Sequence, residues 1–193
     1  MSNQPNSQKF SAKTWQIVLW PAHTTVNNLM YVLLMFVSYV AVGGYGIAVA
    51  TAGLISTYTR IFDGITDPII AMITARLNTK YGTVRILLII GQSIQLGSVL
   101  ILFIFGIGRG IVFYTVFYII YYIGSTFASV TTNTGNAILT KDPKQRPMIF
   151  RWAMVYTTLI SSFSSLYLSG FLFRKYGGVT IEALRELCLT LVG

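Results

Sequence analysis

The chain has 193 residues, is 54% hydrophobic and 14% aromatic, and carries only 10% charged residues at a formal net charge of +9. Soluble domains carry about 25% charged residues, so this composition excludes an ordinary soluble domain and points to an integral membrane protein. The basic residues fall in short clusters between apolar runs, the pattern of loops facing an anionic cytoplasmic leaflet, which argues against a nucleic-acid partner.

Residues 1–14 are polar and predict a cytoplasmic N-terminal tail. The apolar run that follows is too long for a signal-peptide core, and no small-residue cleavage site follows it. Apolar runs lie at about 15–41, 47–75, 84–106, 111–139 and 149–173, and another starts at 181. A helix needs about 20 residues to cross the hydrocarbon core, so the first five predict complete transmembrane helices. The last, "IEALRELCLTLVG", is short and carries Glu182, Arg185 and Glu186. It reads as the amphipathic start of an incomplete sixth. The predicted fold is an all-α polytopic bundle over residues 15–193. The predicted connections are "GGYG" (43–46), "RLNTKYGTVR" (76–85), "GIGRG" (106–110) and "KDPKQRP" (141–147), short enough to set neighbouring helices antiparallel.

Orientation follows from the basic residues. One side of the membrane collects Lys9, Lys13, Arg76, Lys80, Arg85, Lys141, Lys144, Arg146 and Arg151; the other collects Arg109, Arg174 and Lys175. The richer side is cytoplasmic, which puts the N-terminus inside a multi-pass protein of the cell membrane. The one cysteine, Cys188, excludes an internal disulfide framework and reads as a small apolar residue.

The first span contains "WPAHTTVNNLMY". His23 and Asn27 are four residues apart and share a helix face. Asn27 reads as part of a substrate-facing polar stripe, and His23 as hydrogen-bonding glue between helices.

The second span contains "RIFDGITDPIIAM", residues 60–72. At about 100° per residue, Arg60, Asp63 and Asp67 fall within an arc of about 60°. A charge at mid-membrane costs about 3 kcal/mol on insertion scales. Pairing Arg60 with Asp63 would neutralise one acid and leave the other over. An excess negative charge inside a bundle attracts a cation or retains a proton, and hard carboxylate oxygens suit a small alkali cation. Asp63 and Asp67 therefore read as ligands of Na⁺ or H⁺. Pro68 removes one backbone hydrogen bond and frees a carbonyl near residue 64.

The fourth span holds "STFASVTTNTGNA" (125–137), too polar to face lipid, so it predicts a helix facing protein or a water-filled cavity. No metalloprotease, phosphate-loop or nucleophile-elbow motif occurs, so the sequence predicts no enzyme and no cofactor besides a coupling ion.

The stretch from Arg60 to Arg85 resembles the glycoside–pentoside–hexuronide (melibiose permease-like) cation symporters of the major facilitator superfamily. The motif of that family is carried here by Arg60, Asp63, Asp67 and Pro68, followed by Arg76, Lys80, Tyr81, Gly82 and Arg85. Ala71 stands where the family has glycine, and Ile86 where it has proline. The resemblance implies the N-terminal half of a facilitator bundle. It implies that Asp63 and Asp67 bind the coupling ion, with Thr126 completing the site. It also implies that Asn27 and Ser129 occupy the positions of sugar-binding carboxylates, and that Arg151 matches an arginine near the substrate. Arg60 then acts in coupling, as an ion-pair partner.

The expected function is cation-coupled symport of a sugar or glycoside across a lipid membrane, by an N-terminal half that needs a C-terminal six-helix half. Two alternatives stay open: a transporter of another amphipathic solute such as a lipid, and a membrane fragment that does not transport without a partner half.

Overall fold

A computed structural model of the chain describes residues 12–76, 82–140 and 142–192. Residues 1–11, most of the predicted tail, lie outside them, as do Lys80, Tyr81 and Lys141. The described residues form helices and turns and contain no strand. Nine α-helices are defined among them: α1 (Thr14–Leu19), α2 (Thr24–Leu34), α3 (Val37–Tyr45), α4 (Val49–Arg76), α5 (Thr83–Leu100), α6 (Ile111–Leu139), α7 (Arg146–Tyr167), α8 (Phe173–Tyr176) and α9 (Ile181–Val192). Short π-helical segments, Ile101–Phe105 and Leu168–Leu172, extend α5 and α7.

The first predicted span is not one helix. Pro21 lacks an N–H and cannot bond the carbonyl four residues back. α1 therefore stops at Leu19, and a 3-10 turn, Trp20–His23, carries the chain into α2. A second break at Met35–Phe36 bends the helix by 48° before α3. No proline or glycine marks that break. The predicted loop at 43–46 is mostly helix as well. Gly43, Gly44 and Tyr45 complete α3, and only Gly46 leaves it, as a left-handed cap at φ +67°. The Ile47 N–H then donates to the Ala41 carbonyl at 3.1 Å and closes the end of the helix.

Among the described residues, two continuous helices, Thr83–Phe105 and Ile111–Leu139, are long and apolar enough to cross a membrane, and the bent pair ending at Tyr45 makes a third if it counts as one span. α4 and α7, with 28 and 22 residues, are about 42 and 33 Å long, enough for a hydrocarbon core of about 30 Å. Arg60, Asp63 and Asp67 on α4, and Arg146, Arg151 and a serine-rich C-terminal half on α7, make these two less apolar.

α5 and α6 form the centre. A Cβ placed on Gly91 would lie 2.8 Å from the Ala128 nitrogen, and one on Gly124 would lie 2.9 Å from both the Gln95 nitrogen and the Gly91 carbonyl oxygen. Only glycine allows the two backbones to cross this closely, the small-residue contact used between membrane helices. Around this pair Met30, Leu33, Val40, Val99, Leu102, Tyr114, Leu172, Leu184 and Leu187 build one core, and Cys188 is buried within it. Leu54, Ile61 and Ile65 on α4 and Leu159, Phe163 and Leu166 on α7 point outward. An apolar exterior of this kind fits a bilayer as solvent.

The start of the described chain is held rather than free. The Ala12 N–H donates to Gln145 Oε1 at 3.0 Å, and Gln145 Nε2 donates to the Ala12 carbonyl at 3.1 Å. Ala12 and Ile17 pack on Ile149. Gln145→Leu removes both bonds, each worth about 1 kcal/mol. It is expected to speed limited tryptic cleavage after Lys13 several-fold, read by mass spectrometry of the membrane-inserted chain.

At the other end of the bundle, Lys175 forms an ion pair with Glu186 at 2.7 Å. That hydrogen bond holds the Lys175 ammonium above its usual range.

Candidate functional site

α4 packs along α6, and this contact decides what the acidic face of α4 meets. Thr126, 2% exposed on α6, donates its hydroxyl to Asp63 Oδ1 at 2.8 Å. The same hydroxyl lies 3.1 Å from the Tyr122 carbonyl of its own helix. Asp63 is half-buried, whereas Asp67, one turn on, is exposed. Lys175–Glu186 is the only ion pair among the described residues. Arg60 therefore forms an ion pair with neither acid, and the expected pairing of Arg60 with Asp63 does not form. Arg60 instead lines a cavity of about 330 Å³ with Tyr31, Ser38, Ser56, Tyr118 and Tyr122.

α4 runs unbroken through Pro68. Because Pro68 has no N–H, the Gly64 carbonyl lacks its i+4 donor, and a Cβ at Gly64 would meet nothing within 4 Å. The Gly64 carbonyl, between the two acids in sequence, thus lacks its usual backbone partner. Three threonines of the helix are satisfied locally. Thr59 and Thr74 are buried and donate to the Ile55 and Ile70 carbonyls at 2.7 and 2.8 Å. Thr66 donates to the Phe62 and Asp63 carbonyls, 3.1 Å from each.

Asn27 and Ser129 line one cavity of about 290 Å³ with Asn28, Tyr31, Gln95, Tyr121, Ser125, Thr132 and Asn133. Ser125, Ser129, Thr132 and Asn133 of the polar stripe of α6 line this cavity. Ser125 adjoins Thr126, and Tyr31 lines both this cavity and that of Arg60. The acid–threonine contact therefore stands beside two polar spaces.

Arg151 is elsewhere. It is exposed and lines a groove with Pro143, Arg146, Pro147 and Phe150, near the start of α7, and it is absent from the cavity walls of Asn27 and Ser129. His23 serves packing. Its Nδ1–H donates to the Trp20 carbonyl, Nε2 meets the Thr132 hydroxyl at 2.9 Å, and its carbonyl accepts from Gln92 Nε2 at 3.0 Å. Trp20 Nε1–H adds a bond to Asn136 Oδ1 at 2.6 Å. These bonds tie the 3-10 turn to α5 and α6.

Sequence reasoning missed Gln95, Tyr31 and Tyr121 as cavity residues. The available signal for Gln95 was an amide inside an apolar run, which is costly in a membrane unless it has a task.

The sequence pattern of the MFS/sugar transport protein family matches residues 20–188. The chain belongs to that family. It is also 27% identical over 130 residues to YagG of Escherichia coli (strain K12), itself a candidate glycoside/cation symporter. That match covers 65% of this chain and 27% of YagG. The family and the apolar helices make this a multi-pass membrane protein of transporter type.

Proposed function

We propose that this chain forms one half of a cation-coupled sugar or glycoside symporter of the cell membrane, with its N-terminus in the cytoplasm. One observation carries the reading: Asp63 is gripped by Thr126 across a helix interface, while neither Asp63 nor Asp67 forms an ion pair among the described residues. The coupling ion, Na⁺ or H⁺, is cargo at this site. Asp63, Asp67 and Thr126 would hold it, and the freed Gly64 carbonyl adds a neutral oxygen of the kind hard cations accept.

Substrate would occupy the cavity of Asn27 and Ser129, whose amide and hydroxyl groups suit sugar hydroxyls. Arg151, near the cytoplasmic end of α7, would act on the solute's path rather than at this cavity. Neutralising the acids makes the α4–α6 contact less costly to keep dry, which couples ion binding to closure around the sugar. Arg60, three residues before Asp63, is free to reach its acid when the ion leaves. Transporters of this architecture place substrate between two helical halves near the midplane. The exposed Arg60 and Asp67 supply the face for a second, six-helix half.

The test is uptake of labelled glycosides into vesicles containing the chain with and without a second half from a YagG-type protein, across imposed Na⁺ and H⁺ gradients. Uptake driven by either gradient supports the reading. Glycoside uptake that both gradients leave unchanged overturns the coupling.

A further inference from the structure

Gln95 lies four residues beyond Gly91, where the close Gly91–Gly124 crossing presses α5 onto α6. It is 2% exposed, and its Oε1 is paired with no protein group. Its amide lies beside the Tyr121 phenol. Across the same cavity, on α2, Asn27 Oδ1 is also buried and unpaired. Neighbouring groups are already engaged: Asn28 Nδ2 donates to Thr157 Oγ1 at 2.9 Å, and the Thr132 hydroxyl to the Ala128 carbonyl at 2.7 Å.

Two facing helices thus each present an unpaired amide oxygen to one space of about 290 Å³. Buried polar groups in folded proteins are nearly always paired with protein groups or ordered water, so water or a solute entering the cavity would pair these two. No Asp, Glu, Lys or Arg lines it. Whichever way each amide is turned, a neutral group that both donates and accepts will satisfy it, and a hydroxyl does both. A carboxylate or phosphate would enter with no lining cation to balance its charge. The volume is at the small end of ligand sites, about 300–1,000 Å³, which suits one sugar ring.

We propose that Gln95 is a specificity-determining residue that reads one hydroxyl of an uncharged sugar ring held between it and Asn27. This rests on the glycoside reading above and adds to it that the occupant of this cavity carries no charge.

The experiment measures equilibrium binding to the full chain in liposomes. The probes are methyl glucopyranoside, methyl galactopyranoside, their single-deoxy analogues and the corresponding uronic acid glycosides. With the parent chain, one deoxy position is expected to weaken binding roughly tenfold to a hundredfold. In Gln95→Leu that ratio should fall to within about twofold, because the group that read the hydroxyl is gone. A merely structural glutamine would weaken every probe alike and leave the ratio intact. Gln95→Asn keeps the amide but withdraws it by one methylene; it should shrink the same ratio and serves if Gln95→Leu does not fold. A ratio unchanged in both variants, or uronic acid glycosides bound as tightly as the neutral ones, overturns this inference and leaves the glycoside reading standing. Absence of binding for every probe in the parent overturns the glycoside reading and this inference with it.

Discussion

Asp63→Asn is expected to remove the cation dependence of glycoside binding, with cation affinity falling about a thousandfold. At an effective dielectric of about 20, two unit charges 4 Å apart attract by about 4 kcal/mol, and each 1.4 kcal/mol is about tenfold. Asparagine keeps the oxygen that accepts from the Thr126 hydroxyl, so the helix contact survives and only the charge is lost. Asp67→Asn should cost only a few-fold, because Asp67 is exposed and exposed charge pairs contribute about 0.2–1 kcal/mol. Thr126→Val removes a hydrogen bond to a charged group, worth about 1.5–3 kcal/mol, and should fall between the two. Sodium titrations of glycoside binding at fixed pH, and proton titrations without sodium, would rank them. Equal effects of the two aspartate substitutions would contradict the role of burial. Cation stimulation kept within twofold by Asp63→Asn would remove the coupling site.

Gly124→Ala is expected to destabilise the bundle by about 2–3 kcal/mol, the upper end for inserting a methyl into a packed contact. The added carbon meets the Gln95 nitrogen and the Gly91 carbonyl oxygen, each 2.9 Å away. Backbone atoms cannot rotate aside as a side chain can, so α5 and α6 must separate. Separation also shifts Gln95 and the wall of the polar cavity, so glycoside binding should weaken together with stability. At about 2–4 °C per kcal/mol for a chain of this size, Tm should fall by roughly 4–12 °C in detergent. Gly53→Ala is the control. A Cβ there meets nothing within 4 Å, and replacing glycine inside a helix stabilises by about 0.5–1 kcal/mol. If both alanine variants melted at the same temperature, the close crossing would not be the contact that holds α5 to α6.

The site was partly legible because period and hydropathy are local properties. The spacing of Arg60, Asp63 and Asp67 puts them on one face of any helix. The hydroxyl-rich run in the fourth span could not face lipid wherever its neighbours lay. Gln95 escaped notice because an amide in an apolar run does not by itself reveal what it faces; its meaning comes from Asn27, 68 positions earlier in the chain. Arg151 was grouped with Asn27 and Ser129 by resemblance to a motif, which carries no distances.

By itself, the sequence determined a helical membrane chain, the acidic face of its second long helix and a polar fourth helix, because these follow from residue order and the cost of polarity in hydrocarbon. Only the tertiary structure decided that Asp63 meets Thr126 while Arg60 forms no ion pair with it, that the first span breaks at Met35–Phe36, and that Gln95 and Asn27 face one cavity. Those outcomes depend on how closely helices approach and in what register. Here that is set by a glycine on α5 packed against a glycine on α6, and residue order along one helix does not encode it.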